Sequence, residues 1–230
     1  MIRAVGRLVF GMVVFLLACG TSEATVSVSP VIVEAARVQA GQSFEITCEN
    51  WGEQDLDLQL SLALFDQDER GRVVFLEDVE AVRRAKEVLN LDREVLFLET
   101  QAKSIVRVEL TQDDFDHLYA VLFVKPKQGG VPTRFAVLFL LSTSESQANL
   151  SVSSGVQEGE ALAFTVHNKG LRHGLWEGEL HLFDASDQLG ERRKVTSGVV
   201  LAGRSRGVQV SLPHWVQRVE IISDHWGQSR

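Results

Sequence analysis

Residues 38–52 read VQAGQSFEITCENWG and residues 156–170 read VQEGEALAFTVHNKG, one pattern repeated 118 positions later without a gap. Val38, Gln39, Gly41, Thr47, Asn50 and Gly52 recur as Val156, Gln157, Gly159, Thr165, Asn168 and Gly170. The echo runs on, from Leu62, Leu64, Phe65 and Asp66 to Leu180, Leu182, Phe183 and Asp184. Each copy reads as a turn glycine, an alternating strand, an Asn-x-Gly turn and a second strand ending in Phe-Asp, which is the grammar of an antiparallel sandwich. The same kind of domain is therefore expected twice.

Outward from this stretch, strands are predicted near 26–35, 43–49, 56–66, 72–76, 94–98, 104–110, 117–125 and 134–142, then near 149–152, 161–168, 175–183, 191–195, 206–212 and 217–223. The alternation in Ile105, Val106, Arg107, Val108, Glu109 and Leu110 sends every second side chain inward. Residues 80–89 break the pattern, with Val79, Val82, Lys86 and Leu89 at helical spacing among charges, and predict one short surface helix. Pro30 and Pro126 lack an amide donor and belong at strand ends or edges. The polar run Ser142-Thr143-Ser144-Glu145-Ser146-Gln147 marks a short linker, so domains are expected at 25–143 and 144–230.

Residues 1–18 have the form of a secretion signal: Arg3 and Arg7 precede an apolar run, Leu8 to Ala18, too short for a permanent membrane span. The following Leu16-Leu17-Ala18-Cys19-Gly20 resembles the lipobox of bacterial lipoproteins, in which cleavage leaves the cysteine as a lipid-modified N-terminus. Cys19 is then the anchor and residues 19–24 a tether. The alternative is an ordinary signal cut after Ala24, with Cys19 discarded. A multiply acylated anchor gains roughly 0.8 kcal/mol per buried methylene and is effectively permanent. The expected location is extracytoplasmic, lipid-anchored to a bacterial membrane.

Loss of residues 1–18 removes two arginines and no acid, moving the formal charge from -8 to -10. Such a surface does not suit nucleic acid, whose phosphates need basic groups. Beyond Cys19 only Cys48 remains, so no intramolecular disulfide forms; its place in the alternation Phe44, Ile46, Cys48 predicts a buried core residue.

Several marks carry a family resemblance: Ser27-Val28-Ser29-Pro30 opening the first strand, Gly41 before the second, Leu89-Asn90-Leu91 through Phe97-Leu98 to Val106-Arg107-Val108, and Tyr119-Ala120-Val121-Leu122-Phe123 ahead of an apolar last strand. In these the chain resembles the PapD-like periplasmic chaperone superfamily, and more closely the bacterial surface proteins that pair such a domain with a second sandwich. The resemblance covers nearly the whole mature chain. It implies an all-β fold of two tandem immunoglobulin-like β-sandwich domains, with one short helix in the first. It further implies, for the pilus chaperones, an open last strand that lends side chains and backbone to a partner subunit. Those proteins fix the partner's terminal carboxylate with one basic residue on the first strand and another on the last. Here nothing basic lies between Thr25 and Ala36, and the last strand offers Arg134 at its start.

Chemistry is sparse by comparison. Asp66-Gln67-Asp68-Glu69-Arg70-Gly71 with Glu77 nearly matches an EF-hand loop, but Arg70 stands where an oxygen ligand belongs and strands flank it, so a polar hairpin is expected. His117, His167, His173, His181, His214 and His225 show no metal-binding spacing, although His167 and His173 flank one turn. No nucleophile turn or phosphate loop occurs. No metal, cofactor or catalytic residue is expected, and the protein is not expected to be an enzyme.

The segment Thr133 to Leu141 is apolar on both strand faces, so one face enters the core while the other meets the second domain or a partner. Candidate partner-binding residues are Arg134, Phe135, Val137 and Phe139, with Trp51 as an exposed indole in the Asn50-Trp51-Gly52 turn. Trp176 is expected in the core, and Trp215 and Trp226 beside the final strand. The expected function is a non-catalytic cell-envelope lipoprotein that binds or scaffolds another surface protein or wall polymer; the alternative is a periplasmic assembly chaperone donating a strand to pilus-like subunits. Replacing Cys19 with Ser is expected to release the protein from membranes, read by fractionation and immunoblot, and unchanged membrane retention refutes the anchor.

Overall fold

The computed structural model describes residues 26–127, 133–145 and 147–223. The signal segment, Cys19, Ser146, His225 and Trp226 lie outside the described residues. The first half runs β1 (Val26–Ser29), β2 (Ile32–Ala36), β3 (Ser43–Asn50), β4 (Leu56–Gln67), β5 (Val73–Leu76), α1 (Val79–Val88), β6 (Leu89–Leu91), β7 (Val95–Leu98), β8 (Lys103–Leu110), β9 (His117–Pro126) and β10 (Phe135–Ser142). These strands form two sheets, ordered β1-β3-β8-β6 and β2-β10-β9-β4-β5, with β7 also on β4. The second half runs β11 (Leu150–Val152), β12 (Val156–Glu158), β13 (Ala161–Asn168), β14 (Gly174–Phe183), β15 (Leu189–Val200), β16 (Ser205–Ser211) and β17 (Arg218–Ser223). In it, β11, β12 and β16 flank β13, and β15-β14-β17 form the facing sheet.

The architecture is all-β, two sandwiches with one short helix in the first. Each sandwich closes on its own core, the first on Ile46, Leu58, Val106, Leu122 and Phe139, the second on Phe164, Trp176, Leu180 and Leu182. Cys48 is fully buried in the first, and burial pushes its thiol up to about 11.

The echo in sequence is an echo in structure. Gly41 (φ 86°) and Gly159 (φ 58°) both take the left-handed conformation, open to most residues only under strain. Just after each, a backbone amide returns from a distant strand: Leu110 N donates to Gln42 O at 2.8 Å, Leu212 N to Glu160 O at 2.7 Å. Asn50 and Asn168 are buried corner residues with the same duties. The Asn50 amide donates to Gln54 O (2.8 Å) and Glu99 O (3.1 Å), while its Oδ1 accepts from Gly52 N (2.9 Å). The Asn168 amide donates to Arg172 O (2.7 Å) and Val200 O (3.0 Å), and its Oδ1 accepts from Gly170 N (2.9 Å). One side chain thus pins the turn and ties it to a distant strand, which fixes Asn-x-Gly in both copies.

The structure departs from the sequence reading in four places. The predicted first strand splits at Pro30: β1 pairs antiparallel with β3, while β2 crosses to the other sheet and pairs parallel with β10. The helix buries Ala81, Ala85 and Val88 rather than the face bearing Val79, which is 88% exposed; the small alanines let its backbone approach β4, and Asp78 caps it by accepting from Ala81 N at 3.0 Å. β15 runs to Val200 instead of stopping near 195, because Gly198 (φ 69°) carries the chain through a register shift. Finally, Asp184 is matched in role by Asp68, not by Asp66. Asp184 Oδ1 accepts from Ser186 N (2.8 Å) and Gln188 N (3.0 Å), and Asp68 Oδ1 accepts from Arg70 N (3.0 Å) and Arg72 N (2.8 Å). The first hairpin is two residues longer, and Asp66 is released for other work.

Truncating Asn168 to Ala strands the buried Val200 carbonyl and unpins the turn. The expected loss is about 1–3 kcal/mol in urea unfolding, with Asn50→Ala similar in its own sandwich. A loss under 0.5 kcal/mol at both positions removes the corner role.

Candidate functional site

β9 and β10 decide what the first sandwich shows to its surroundings. Seven consecutive residues of β9, Leu118 to Val124, are buried, and so are Val137, Phe139, Leu140 and Leu141 of β10. Burial on both faces of a strand needs a layer on each side. Inward, Val137, Phe139 and Leu141 enter the first core. Outward, Ala63, Phe65, Tyr119, Val121, Phe123 and Leu140 form a separate cluster that includes Leu201 and Ala202 of the second sandwich. The outer face of β10 therefore packs on the second domain at its C-terminal end.

Polar groups lock that contact. The Tyr119 hydroxyl accepts from Ala202 N at 3.0 Å, and burial raises its pKa to about 12. Gln67 bridges the loop after β15, its amide donating to Val199 O (2.8 Å) and its Oε1 accepting from Leu201 N (3.2 Å). Arg204 meets Asp66 with both arms, at 2.6 and 2.5 Å. Burial pushes the Asp66 carboxyl up, but Arg204 and Gln67 N outweigh it and hold it below its ordinary value. Gly207 N donates to Glu69 O at 2.8 Å, and Gly71 has no room for a Cβ because the Arg206 side chain lies against it.

On the other flank, Glu34 of β2 binds Arg172 at 2.9 Å. His173 Nε2 lies 3.0 Å from Glu34 Oε1, out of hydrogen-bond alignment, with its side chain 9% exposed. Burial holds the His173 pKa below 6.5 against the pull of Glu34, so the ring is neutral at neutral pH. Burial raises Glu34, and Arg172 and His173 bring it below its ordinary value. The linker is fastened as well: Ser142 Oγ donates to Asp116 O (3.1 Å), Thr143 Oγ1 to Phe115 O, and Arg37 pairs with Glu145.

The N-terminal end of β10 is different. β2 pairs with Leu138 to Ser142 only, so among the described residues Phe135 to Val137 have β9 on one side and no strand on the other. Leu138 N donates outward to Val31 O at 3.0 Å, and by alternation the Ala136 N–H and C=O point to the same open side. Beside this edge lie Val31 (61% exposed), Ile32 (54% exposed) and the half-buried Ala136 and Leu138.

The other candidate residues are placed as follows. Val137 and Phe139 are fully buried core residues, so they reach the edge only through their backbone. Phe135 packs against the first core. The Arg134 guanidinium stacks on Phe123, 3.7 Å from the ring centre, and meets Glu77 with both arms at 2.6 and 3.1 Å, so its charge is already answered. Trp51 is 64% exposed in the turn between β3 and β4. Tyr119 and Gln67 were missed, although the single tyrosine of the chain inside an apolar strand signals a buried hydroxyl that needs a partner. Among the described residues no three His, Cys, Asp or Glu side chains converge as for a metal ion, and no helix is long and apolar enough to cross a membrane.

No protein-family model and no curated protein matches the sequence. In fold, the chain is similar to the class 5 fimbriae chaperone CfaA, with TM-score 0.59 and 11% identity over 89% of this chain and 94% of that one. A chain of the chaperone–tip adhesin complex of CFA/I fimbriae biogenesis matches with TM-score 0.57 and 11% identity, covering 88% of this chain and 96% of that one. A chain of the CsuC–CsuE chaperone–tip adhesion subunit pre-assembly complex of Acinetobacter baumannii Csu pili matches with TM-score 0.50 and 13% identity, over 80% and 90%. The fold is thus PapD-like and immunoglobulin-like, in both domains together.

His173, Glu34 and Asp66 are all depressed in the folded state, so their contribution is complete above their unfolded values and is lost as pH falls. Thermal unfolding is expected to be flat from pH 8 to 7 and to fall first below about 6.5, the His173 limb. His173→Gln is expected to remove that first limb; a profile identical to the parent's shows that His173 does not titrate at the interface.

Proposed function

We propose that the protein is a non-catalytic extracytoplasmic binding protein that holds a partner polypeptide along the free half of β10, in the manner of an assembly chaperone for pilus-like subunits. The observation that carries this is the edge at Phe135 to Val137, where the Ala136 N–H and C=O point outward beside the apolar Val31, Ile32 and Leu138. An extended segment laid there gains main-chain hydrogen bonds from the edge and apolar contact from the neighbouring face. The likeness to fimbrial chaperones supports this reading over a general scaffold for a surface protein or wall polymer.

The anchoring of the partner differs from the basic pair implied by the family resemblance. β1 and β2 carry no basic residue, and Arg134 is committed to Glu77 and Phe123. Affinity then rests on strand pairing and apolar contact rather than on a clasped carboxylate. The second domain supports the first from behind, through Leu201, Ala202 and Arg204. Domains at 25–143 and 144–230, the signal at 1–18 and lipidation at Cys19 belong to the same proposal; they place this edge outside the cytoplasm, tethered to a membrane.

Ala136→Pro removes the outward amide at an edge position, where proline is tolerated. Capture of a co-expressed envelope subunit is expected to fall about tenfold or more while thermal unfolding stays within a few degrees. Val137→Asp serves as contrast, since a charge there enters the core and unfolds the domain. Undiminished capture by folded Ala136→Pro overturns the strand-pairing reading.

A further inference from the structure

The two sandwiches match up to their last strand, and there they part. In the first, β10 pairs antiparallel with β9 and parallel with β2, so the gap between the two sheet edges is closed by Val137, Phe139 and Leu141. In the second, β17 pairs with β14 as β9 pairs with β4, and β11 and β12 edge the facing sheet as β1 does in the first. Among the described residues no strand pairs with the outer edge of β17. A groove of about 350 Å³ lies there, between Val152, Ser154, Gly155 and Gln157 on one side and Val219 and Ile221 on the other. Val152, Val219 and Ile221 pack against the second core yet are only half-buried, so that core is exposed along this line.

The geometry points to this groove as an acceptor site for an extended strand supplied by another polypeptide, antiparallel to β17 and carrying uncharged apolar side chains at every second position. Three observations select this occupant. The first domain shows within the same chain what such a gap takes: β10, with three apolar side chains at alternate positions. The exposed strand edge of β17 offers donors and acceptors that an extended backbone satisfies. The groove walls carry serine, glutamine and aliphatic groups but no formal charge, so an inward-facing charge would be buried without a partner. This site is separate from the β10 edge: there the chain offers a strand edge beside its core, and here it receives a strand into one.

The chain itself supplies the probe. A fluorescent peptide with the β10 sequence RFAVLFLLS, preceded by two lysines for solubility, is titrated onto the full chain by fluorescence anisotropy, and amide exchange is followed with and without it. Saturable binding is expected, with about tenfold slower exchange confined to residues 218–223 and 150–158. Ser154→Lys with Ser223→Lys, both on exposed side chains, places charge at the groove mouth and is expected to weaken binding about tenfold without moving the unfolding temperature. Ala136→Pro is expected to bind the peptide as the parent does, which separates this site from the β10 edge. Absence of saturable binding, or binding untouched by the double lysine variant, overturns the proposal. So does free protein whose 218–223 amides are already as protected as those of β9, since the chain then closes the groove itself. Protection of β17 that disappears on dilution assigns the groove to a second copy and overturns it equally.

Discussion

Everything in the first domain turns on one strand being buried from both sides. β10 sends Val137, Phe139 and Leu141 into the core and Leu140 into the cluster that holds Leu201 and Ala202, so a single strand joins the core of one sandwich to the surface of the other. Each inward side chain contributes about 1.5–3 kcal/mol of apolar burial, which holds the strand in register even where, among the described residues, no strand pairs with one edge. An edge held in place by a buried core suits the proposed capture of another chain, because little order has to be imposed when the partner arrives.

The lock between the domains is polar, and among its ion pairs and hydrogen bonds Asp66 alone comes from a residue shared by the internal repeat. Asp66 aligns with Asp184 in sequence, yet the longer first hairpin hands the turn-capping task to Asp68 and leaves Asp66 free to meet Arg204. Tyr119, Gln67, Glu34 and Arg172 add directional bonds around the apolar contact. A two-armed ion pair, a buried hydroxyl and a glutamine bridge resist rotation in different directions, whereas the small apolar contact alone permits sliding. The interface angle is therefore set by hydrogen-bond geometry more than by buried area.

Divergence between the copies also explains how like frameworks come to offer unlike surfaces. Both keep the turn glycine for its left-handed backbone and the corner asparagine because its amide satisfies carbonyls of distant segments, and in both a distant amide returns beside the turn. They differ in the last strand, where the first has β10 and the second, among the described residues, leaves β17 at the edge of its sheet.

Alternation of apolar and polar residues, the repeated Asn-x-Gly turns and the position of Cys48 were enough to read the sheets and the burial of single residues, since these follow from local periodicity. The two-faced apolar character of 133–141 was likewise visible, but not what covers each face: that β2 shields only the C-terminal half of β10, that Leu201 and Ala202 join the cluster holding Leu140, and that Arg134 is spent on Glu77 and Phe123. The short helix was legible too, but not that Ala81 and Ala85 are its buried residues, since they bury through closeness rather than size, a preference that hydrophobic spacing does not register. Local chemistry thus determined which residues are strands and corners. Only the tertiary structure decided which strand edge stays open and which charges are already paired, because both depend on residues far apart in the chain, 57 positions for Arg134 and Glu77 and 138 for Asp66 and Arg204, being brought within hydrogen-bond distance.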